Sequence, residues 1–456
     1  MKGALLAALA LVLGILLVLV TFMVTRPEAT MDPAAEYRYV VTSEGGTYYA
    51  RNGSGTILTS GDNAATVINT ALGALTPGRT AKETVLLDGN FALSSSIELP
   101  SNTTLKLAQG SKVIGASQVS TVLLDASQAI NIEITGGEWD GNKAERDLAG
   151  NTIMAIAGCT NVTLRSLEAY DAPYDGIALN SCTQVLVSGV EVGRVGHTAL
   201  VMGNCSDCTV EGSHFFDCAG GGCYFLCEEG VSVCGSHNNV VRNNTVERTY
   251  LTGLSLASLR EAQHQGSATL AEHNTVIDCG LDGSHPGIVC GWGDNKATNC
   301  VIRYNIIYET KAFWPPNGNG TNGGIDARCD DSQIYGNTVL DTYDYGIEVA
   351  GERNRVWNNR ISGTYTAGYG GLVCENSTDC EVVNNTITDC PVGIRVLDSS
   401  SNHISGNRFE NMADYIVLIA DATSTSNVVE NNTYVGTGDI YDAGTATVIR
   451  NNTSAS

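Results

Sequence analysis

The chain is short of positive charge: 25 Lys and Arg stand against 48 Asp and Glu in 456 residues, for a formal net charge of −23. A nucleic-acid partner needs a basic footprint, so that class of function is excluded. Such acidity suits solubility, cation binding or a high-salt milieu. Charge of either sign is sparse as well, at 16% of residues, while glycine numbers 51. That balance fits aliphatic interiors, small polar exteriors and tight turns. Helical i, i+3, i+4 spacing is missing from the repeats, which excludes ankyrin-like and tetratricopeptide-like units. No phosphate-binding glycine loop, nucleophile elbow or metalloprotease signature occurs. Cysteine is confined: none precedes Cys159 and none follows Cys390.

What is present is repetition. Asn244, Asn274, Asn305, Asn337, Asn359, Asn385, Asn407, Asn432 and Asn452 recur inside similar strand phrases at intervals of 30, 31, 32, 22, 26, 22, 25 and 20 residues. A second landmark keeps pace, a glycine followed by an aliphatic residue, as in Gly176-Ile177, Gly324-Ile325, Gly346-Ile347 and Gly393-Ile394. Each unit thus holds at least two short strands of period-2 alternation separated by Gly, Asn and Asp turns. The pattern predicts an all-β solenoid, a right-handed parallel β-helix with rungs of about 22–30 residues. Asp62 and Asn63 are placed to cap a helix whose apolar positions are Ala65, Val67, Ile68, Ala71, Leu72 and Leu75. A solenoid needs its first rung covered, and this helix is expected to do so.

The expected organisation is residues 1–25 as a signal-anchor or signal peptide, 26–60 as a polar lead-in, and 61–456 as the β-helix. The apolar run Ala4–Val24 is long enough to span a bilayer, which favours an uncleaved membrane anchor over a cleaved signal or a pilin-like leader. All three place the rest outside the cytoplasm, on the cell surface or beyond. Sequons beginning at Asn52, Asn102, Asn161, Asn204, Asn243, Asn319, Asn376, Asn384, Asn431, Asn451 and Asn452 agree with a glycoprotein, although an Asn- and Thr-rich repeat also generates them by chance. Cys159, Cys182 and Cys205 lie 23 residues apart and are expected to stack inward, as thiols or as disulfides. Cys218, Cys223, Cys227 and Cys234 crowd one turn, where bridging is the expectation and a zinc site the lesser alternative.

The capping helix, then "VLLDGNFALSSSIELPSNTTLKL" at 85–107, then "ITGGEWDGN" at 134–142, resembles the entry into the pectate lyase and polygalacturonase superfamily of right-handed β-helices. The resemblance covers roughly residues 61–456 and implies the fold together with a polysaccharide or cell-surface glycan as partner. "APYDGIALNSC" at 172–182 resembles the Asn-Thr-Asp-Gly strand of polygalacturonases, which implies a catalytic carboxylate at Asp175. In the next rung Gly196-His197 stands where that family has paired aspartates, and His197 becomes its candidate partner. Glycines of "CAGGGCYFL" occupy the place of a Gly-His-Gly motif.

Departures from the regular rung locate the remaining candidates. Surplus residues at 227–237, 256–270, 278–286, 310–323 and 363–369 would wall a groove along the Gly-Ile sheet. Strand alternation predicts an outward row of Ala178, Leu200, Tyr224, Ser255, Val289, Asp326, Glu348, Val373 and Arg395, with Asn180, Arg328 and Glu375 in the row beyond. Asp326 and Glu348 then sit on neighbouring rungs beside Arg328. Such a pair can share a proton, bind calcium, or serve as acid and base, or with Arg328 form only a charge ladder on a solvated sheet; inverting hydrolysis needs carboxyls roughly 6.5–9.5 Å apart. A lyase would instead draw a base from Arg328 or Lys311. Tyr224 and Trp314 are the candidate stacking platforms, with His285, Lys311 and Glu375 as further substrate contacts. The mixed-charge turn Asp140, Glu145, Arg146 and Asp147, and Trp292, are weaker candidates. A hydrolase or lyase on the Gly-Ile sheet therefore stands beside a non-enzymatic adhesion rod. The unpaired strands of an end rung leave self-association open.

Overall fold

The structure is a computed structural model that describes residues 37–117, 122–146, 151–226, 236–256, 268–281, 285–291, 296–308, 310, 323–436 and 438–455. One rung shows how the chain is built. Residues Gln333–Tyr335, Thr338–Thr342 and Tyr345–Glu352 form three strands that face three ways. The next rung repeats them as Arg355–Trp357, Arg360–Thr364 and Gly370–Thr378. Parallel pairing sets Ile334 on Val356, Val339 on Ile361 and Ile347 on Leu372. These residues are fully buried, so like stacks on like and each rung adds one layer to a continuous aliphatic core. Three parallel sheets result, here called first, second and third in rung order.

The asparagine ladder is the corner between the first and second sheets. Each residue preceding a ladder asparagine, from Asn243 to Asn451, has φ of 54–67°, a left-handed bend that turns the chain within two residues. The ladder side chain then satisfies the groups that this bend exposes. Asn337 Oδ1 accepts from Asn305 N and Asn305 Nδ2, both at 3.0 Å, while its own Nδ2 donates to Ile302 O at 2.9 Å and Asn359 Oδ1 at 3.0 Å. The same bonds recur from Asn244 to Asn452. Asparagine supplies a donor and an acceptor on one planar group, which is what a buried, repeating corner requires. The bend also gives several sequons a conformational origin, since Asn243, Asn384, Asn431 and Asn451 occupy its left-handed position.

Before the first full rung, Tyr39–Glu44, Thr47–Asn52 and Ile57–Gly61 pair as antiparallel strands, and the first of them pairs in parallel with Glu83–Asp88. Helix α1, Ala64–Gly73, follows; Asn63 caps it by accepting from Thr66 N at 3.0 Å. Its buried face contains the expected Ala65, Val67, Ile68, Ala71 and Leu72 and packs on the neighbouring early strands. No helix among the described residues is long and apolar enough to cross a membrane; the run Ala4–Val24 lies outside them.

The outward row needs one correction. Leu200 pairs with Ile177 and Cys223 and is fully buried, while Val201, in register with Ala178 and Tyr224, takes the outward place. Ala199 stands in that rung at the place of the landmark glycine, so Leu200 is its inward aliphatic residue and Val201 its outward one. Cys159, Cys182 and Cys205 do point inward, as buried thiols whose Sγ atoms donate to Ala126 O, Ile156 O and Leu179 O. Thirteen cysteines among the described residues are unbridged, Cys218 and Cys223 included; Cys227 and Cys234 lie outside the described residues.

Candidate functional site

On the third sheet the register aligns Ser255, Val289, Asp326, Glu348, Val373 and Arg395 in one outward column. An outward column on a bare sheet would be wet. Instead every position from Ser255 to Val373 is buried, whereas Ala178 and Val201 before them and Arg395 after them are half-exposed. Asp326 and Glu348 thus lie in the covered part of the column, on directly paired positions.

Arg328 lies two residues beyond Asp326 on the same face and turns back over both carboxyls. Its Nε meets Asp326 Oδ2 at 3.1 Å and its Nη2 meets Glu348 Oε1 at 2.6 Å. One guanidinium cannot neutralise two buried anions, so the group favours holding a proton. Burial, against the pull of Arg328, raises Asp326 to about 6. Burial and the neighbouring Asp326 charge raise Glu348 to about 8. At neutral pH the two carboxyls therefore favour holding one proton between them. Arg328 itself is held above its ordinary value because Asp326 and Glu348 outweigh the effect of its burial.

Sequence reasoning did not anticipate Tyr345. Its ring lies against Gly323, where a Cβ would come within 2.0 Å of Tyr345 Cε2. The side chain is fully buried, and burial with the charges of Asp326 and Glu348 pushes its phenol well above the usual range. Three polar atoms here lack any partner: Asp326 Oδ1, Tyr345 Oη and Arg395 Nε. Arg395 lies over the Tyr369 ring at 5.2 Å. The doubled glycine at Gly323-Gly324 was the available signal, since a large ring needs a residue without a side chain beneath it.

Asp175 and His197 also meet. They occupy adjacent corners ahead of Ile177–Asn180 and Leu200–Gly203, with Asp175 Oδ1 2.8 Å from His197 Nδ1 and accepting from Thr198 N at 3.0 Å. Tyr174 stacks on the imidazole at 4.5 Å with rings 4° from parallel. The ring is half-exposed while Asp175 is buried, so this dyad reaches solvent through its imidazole, as the carboxyl pair does not. Five register steps separate Ile177 from Ile325, about 24 Å at about 4.8 Å per rung.

The other expected contacts are scattered or fall outside the description. Tyr224 lies in the strand Cys223–Leu226; Lys311, Trp314, Trp292 and Asp147 lie outside the described residues. His285 and Glu375 are half-buried. Arg146 is fully buried and donates to Gly141 O at 3.0 Å, a packing role rather than an exposed turn charge. Calcium does not fit between Asp326 and Glu348, because the Arg328 guanidinium occupies the space between the carboxylates that the ion would need.

The family model for the right handed beta helix region matches residues 95–248, 152–338 and 323–455. The chain belongs to this family. Solved right-handed β-helices share its fold at low identity. PfbA, a surface adhesin of Streptococcus pneumoniae, is similar at a TM-score of 0.55 and 12% identity, covering 78% of this chain and 88% of its own. A mutant tailspike of E. coli bacteriophage HK620, in complex with a pentasaccharide, reaches 0.54 and 13%, covering 88% and 77%. A mannuronan C-5 epimerase A-module from Azotobacter vinelandii reaches 0.50 and 15%, covering 86% and 96%. No curated protein matches the sequence. These likenesses carry the right-handed β-helix and nothing finer.

Proposed function

We propose that this right-handed β-helix acts on polysaccharide outside the cytoplasm, cleaving a glycosidic bond with Glu348 as proton donor and Asp326 as proton acceptor. The observation that carries it is the pair of register-matched, buried carboxyls whose proton affinities are driven apart by their surroundings. Two carboxyls separated in this way are an acid and a base at one pH. The three unpartnered polar atoms beside them support a ligand at that position. A fold shared with a mannuronan epimerase and a pentasaccharide-bound tailspike supports a glycan as the ligand class. The Asp175–His197 dyad, on the same side of the solenoid, serves in this reading as a second proton-transfer position along the bound chain. The N-terminal apolar run is its membrane attachment, and α1 covers the first rung.

A second reading is a surface protein that binds glycan without cutting it. The deep burial of Glu348 favours that alternative. The two separate in a glycan panel assayed for new reducing ends and for unsaturated product. Cleavage should follow a bell between about pH 6 and about pH 8, the values of Asp326 and Glu348, and Glu348→Gln should lower turnover at least about 100-fold. Glycan binding without any product would establish the second reading, and a fully active Glu348→Gln would remove the carboxyl pair from the chemistry.

A further inference from the structure

We infer that the corner between the first and second sheets carries an aromatic ridge, centred on Tyr304, that holds a polysaccharide chain by stacking on its sugar rings. The ridge is separate from the carboxyl pair on the third sheet and does not depend on the cleavage proposed there.

The corner backbone gives the first observation. Its left-handed position is asparagine at Asn243, Asn358, Asn384, Asn431 and Asn451, glycine at Gly336 and Gly406, and histidine at His273, but tyrosine at Tyr304, with φ of 55°. Asparagine, glycine and histidine accept that conformation, whereas a bulky ring there is an outlier. Burial does not offset the strain, because the ring is 47% exposed. Room for it comes from the next rung: a Cβ on Gly336 would stand 2.5 Å from Tyr304 Cε1. Tyrosine in one rung and glycine in the following one thus keep an aromatic ring on a solvent-facing corner.

The ring is part of a series. His273 stacks on it at 5.2 Å, and Tyr335 meets it at 5.5 Å with 80° between the planes. Trp357 stacks on Tyr335 at 4.2 Å. Glu272, Arg303, Tyr335 and Trp357 are in register on consecutive rungs, so the ridge runs three steps, about 14 Å at about 4.8 Å per rung.

Charge narrows the partner. Arg303 lies 5.9 Å from both tyrosine rings and pairs with Glu272 at 2.6 Å, and its Nη1 donates to Tyr335 Oη at 2.8 Å. Arg355 lies 4.8 Å from the Trp357 ring and pairs with Glu381 at 3.1 Å. Each guanidinium on the ridge is therefore matched by a carboxylate. A nucleic acid needs unmatched basic charge, and a second copy of this chain would bring its own net charge of −23 against the same corner. A sugar chain offers apolar C–H faces to the rings and hydroxyls to their polar edges, which suits side chains with an apolar body and a polar tip. Arg360, exposed in the next strand, makes no ion pair among the described residues, so charged and neutral sugars are compared below.

The test is binding without turnover, in the Glu348→Gln background. Hexasaccharides of neutral hexoses, N-acetylhexosamines and uronates are titrated calorimetrically. At least one series should bind, Tyr304→Asn should weaken it about tenfold, and Tyr304→Phe, which keeps the ring, should stay within about threefold. The unfolding midpoint of Tyr304→Asn should stay unchanged or rise, because asparagine is the residue this corner otherwise uses. Binding indifferent to Tyr304→Asn, an equal loss in Tyr304→Phe, or a lower midpoint for Tyr304→Asn overturns the inference. So does a dimer, seen in sedimentation, that Tyr304→Asn abolishes. Binding that survives Tyr304→Asn but is lost in Arg328→Met overturns the ridge while leaving the carboxyl-pair reading intact. Ridge-dependent binding with no cleavage by the wild-type protein upholds the ridge and removes that reading instead.

Discussion

Arg328→Met removes the guanidinium that holds the carboxyl pair while keeping most of the stem. In the native fold that guanidinium contacts side chains that are 4% and 1% exposed, those of Asp326 and Glu348. Breaking a buried ion pair from one side costs about 3–5 kcal/mol, provided the partners left behind must stay charged. Here they need not, and the cost depends on pH. Both carboxyls already have folded values above their ordinary ones, Glu348 at about 8 against 4.5. A group raised in this way contributes stability that is complete below its unfolded value and lost as pH climbs through its folded value. Wild type should therefore weaken between about pH 4.5 and about pH 8. Without Arg328 both values rise further. At pH 5 the variant keeps both carboxyls protonated and should lose only packing, about 1 kcal/mol; at pH 8.5 it should lose about 3–5 kcal/mol. Urea unfolding of both proteins at the two pH values measures the difference. Equal destabilisation at pH 5 and pH 8.5 would refute the account, because an uncompensated buried anion cannot be indifferent to its own protonation. Replacing all three groups together, as Asp326→Asn, Arg328→Met and Glu348→Gln, should recover most of the loss at pH 8.5.

Asn337→Ala should cost about 2–4 kcal/mol by leaving the buried Asn305 N–H and Ile302 carbonyl without their partner. Asn384→Ala, at an exposed left-handed position beside the ladder, should cost about 1 kcal/mol, and matching unfolding midpoints for the two would argue against the ladder's role. Gly346→Ala places a Cβ 2.3 Å from Ile361 Cγ2 and 2.7 Å from Gly371 O, so a loss of about 1–3 kcal/mol is expected in thermal unfolding. Gly368→Ala, with nothing within 4 Å of its Cβ, should show only the backbone cost of about 1 kcal/mol.

How much of this was legible before the structure depends on the range of the interaction. The ladder asparagines and the Asp326–Glu348 register were readable because a solenoid turns sequence period directly into spatial adjacency. The contact between Asp175 and His197 followed from the same adjacency. Leu200 was misplaced because the landmark glycine of that rung is Ala199, and a one-residue slip in a strand reverses every side chain. The hairpin joining Tyr39–Glu44 to Thr47–Asn52 turns at Gly45 and Gly46, both with positive φ, a glycine-pair signal available within the lead-in. Burial of the outward column could not be read at all. Alternation tells which way a side chain points, but what lies over it is a tertiary fact.

That burial bears on why the charges are there. The same column carries Val289 one rung before Asp326 and Val373 one rung after Glu348, and both are fully buried. Valine therefore fits this covered face, and a solenoid built only to be stiff would gain by continuing it. Replacing a buried ionic group with apolar residues is often neutral or stabilising, so the triad is not what holds these rungs together. Nor does it complete its own hydrogen bonds, since Asp326 Oδ1 and the neighbouring Tyr345 Oη stay unpartnered. Burying two carboxyls and an unpaired phenol between valines, under a half-exposed guanidinium, weakens the rod locally. A ligand that satisfies the unpartnered atoms offsets that cost, which makes this column, rather than the regular rungs around it, the place where function has displaced packing.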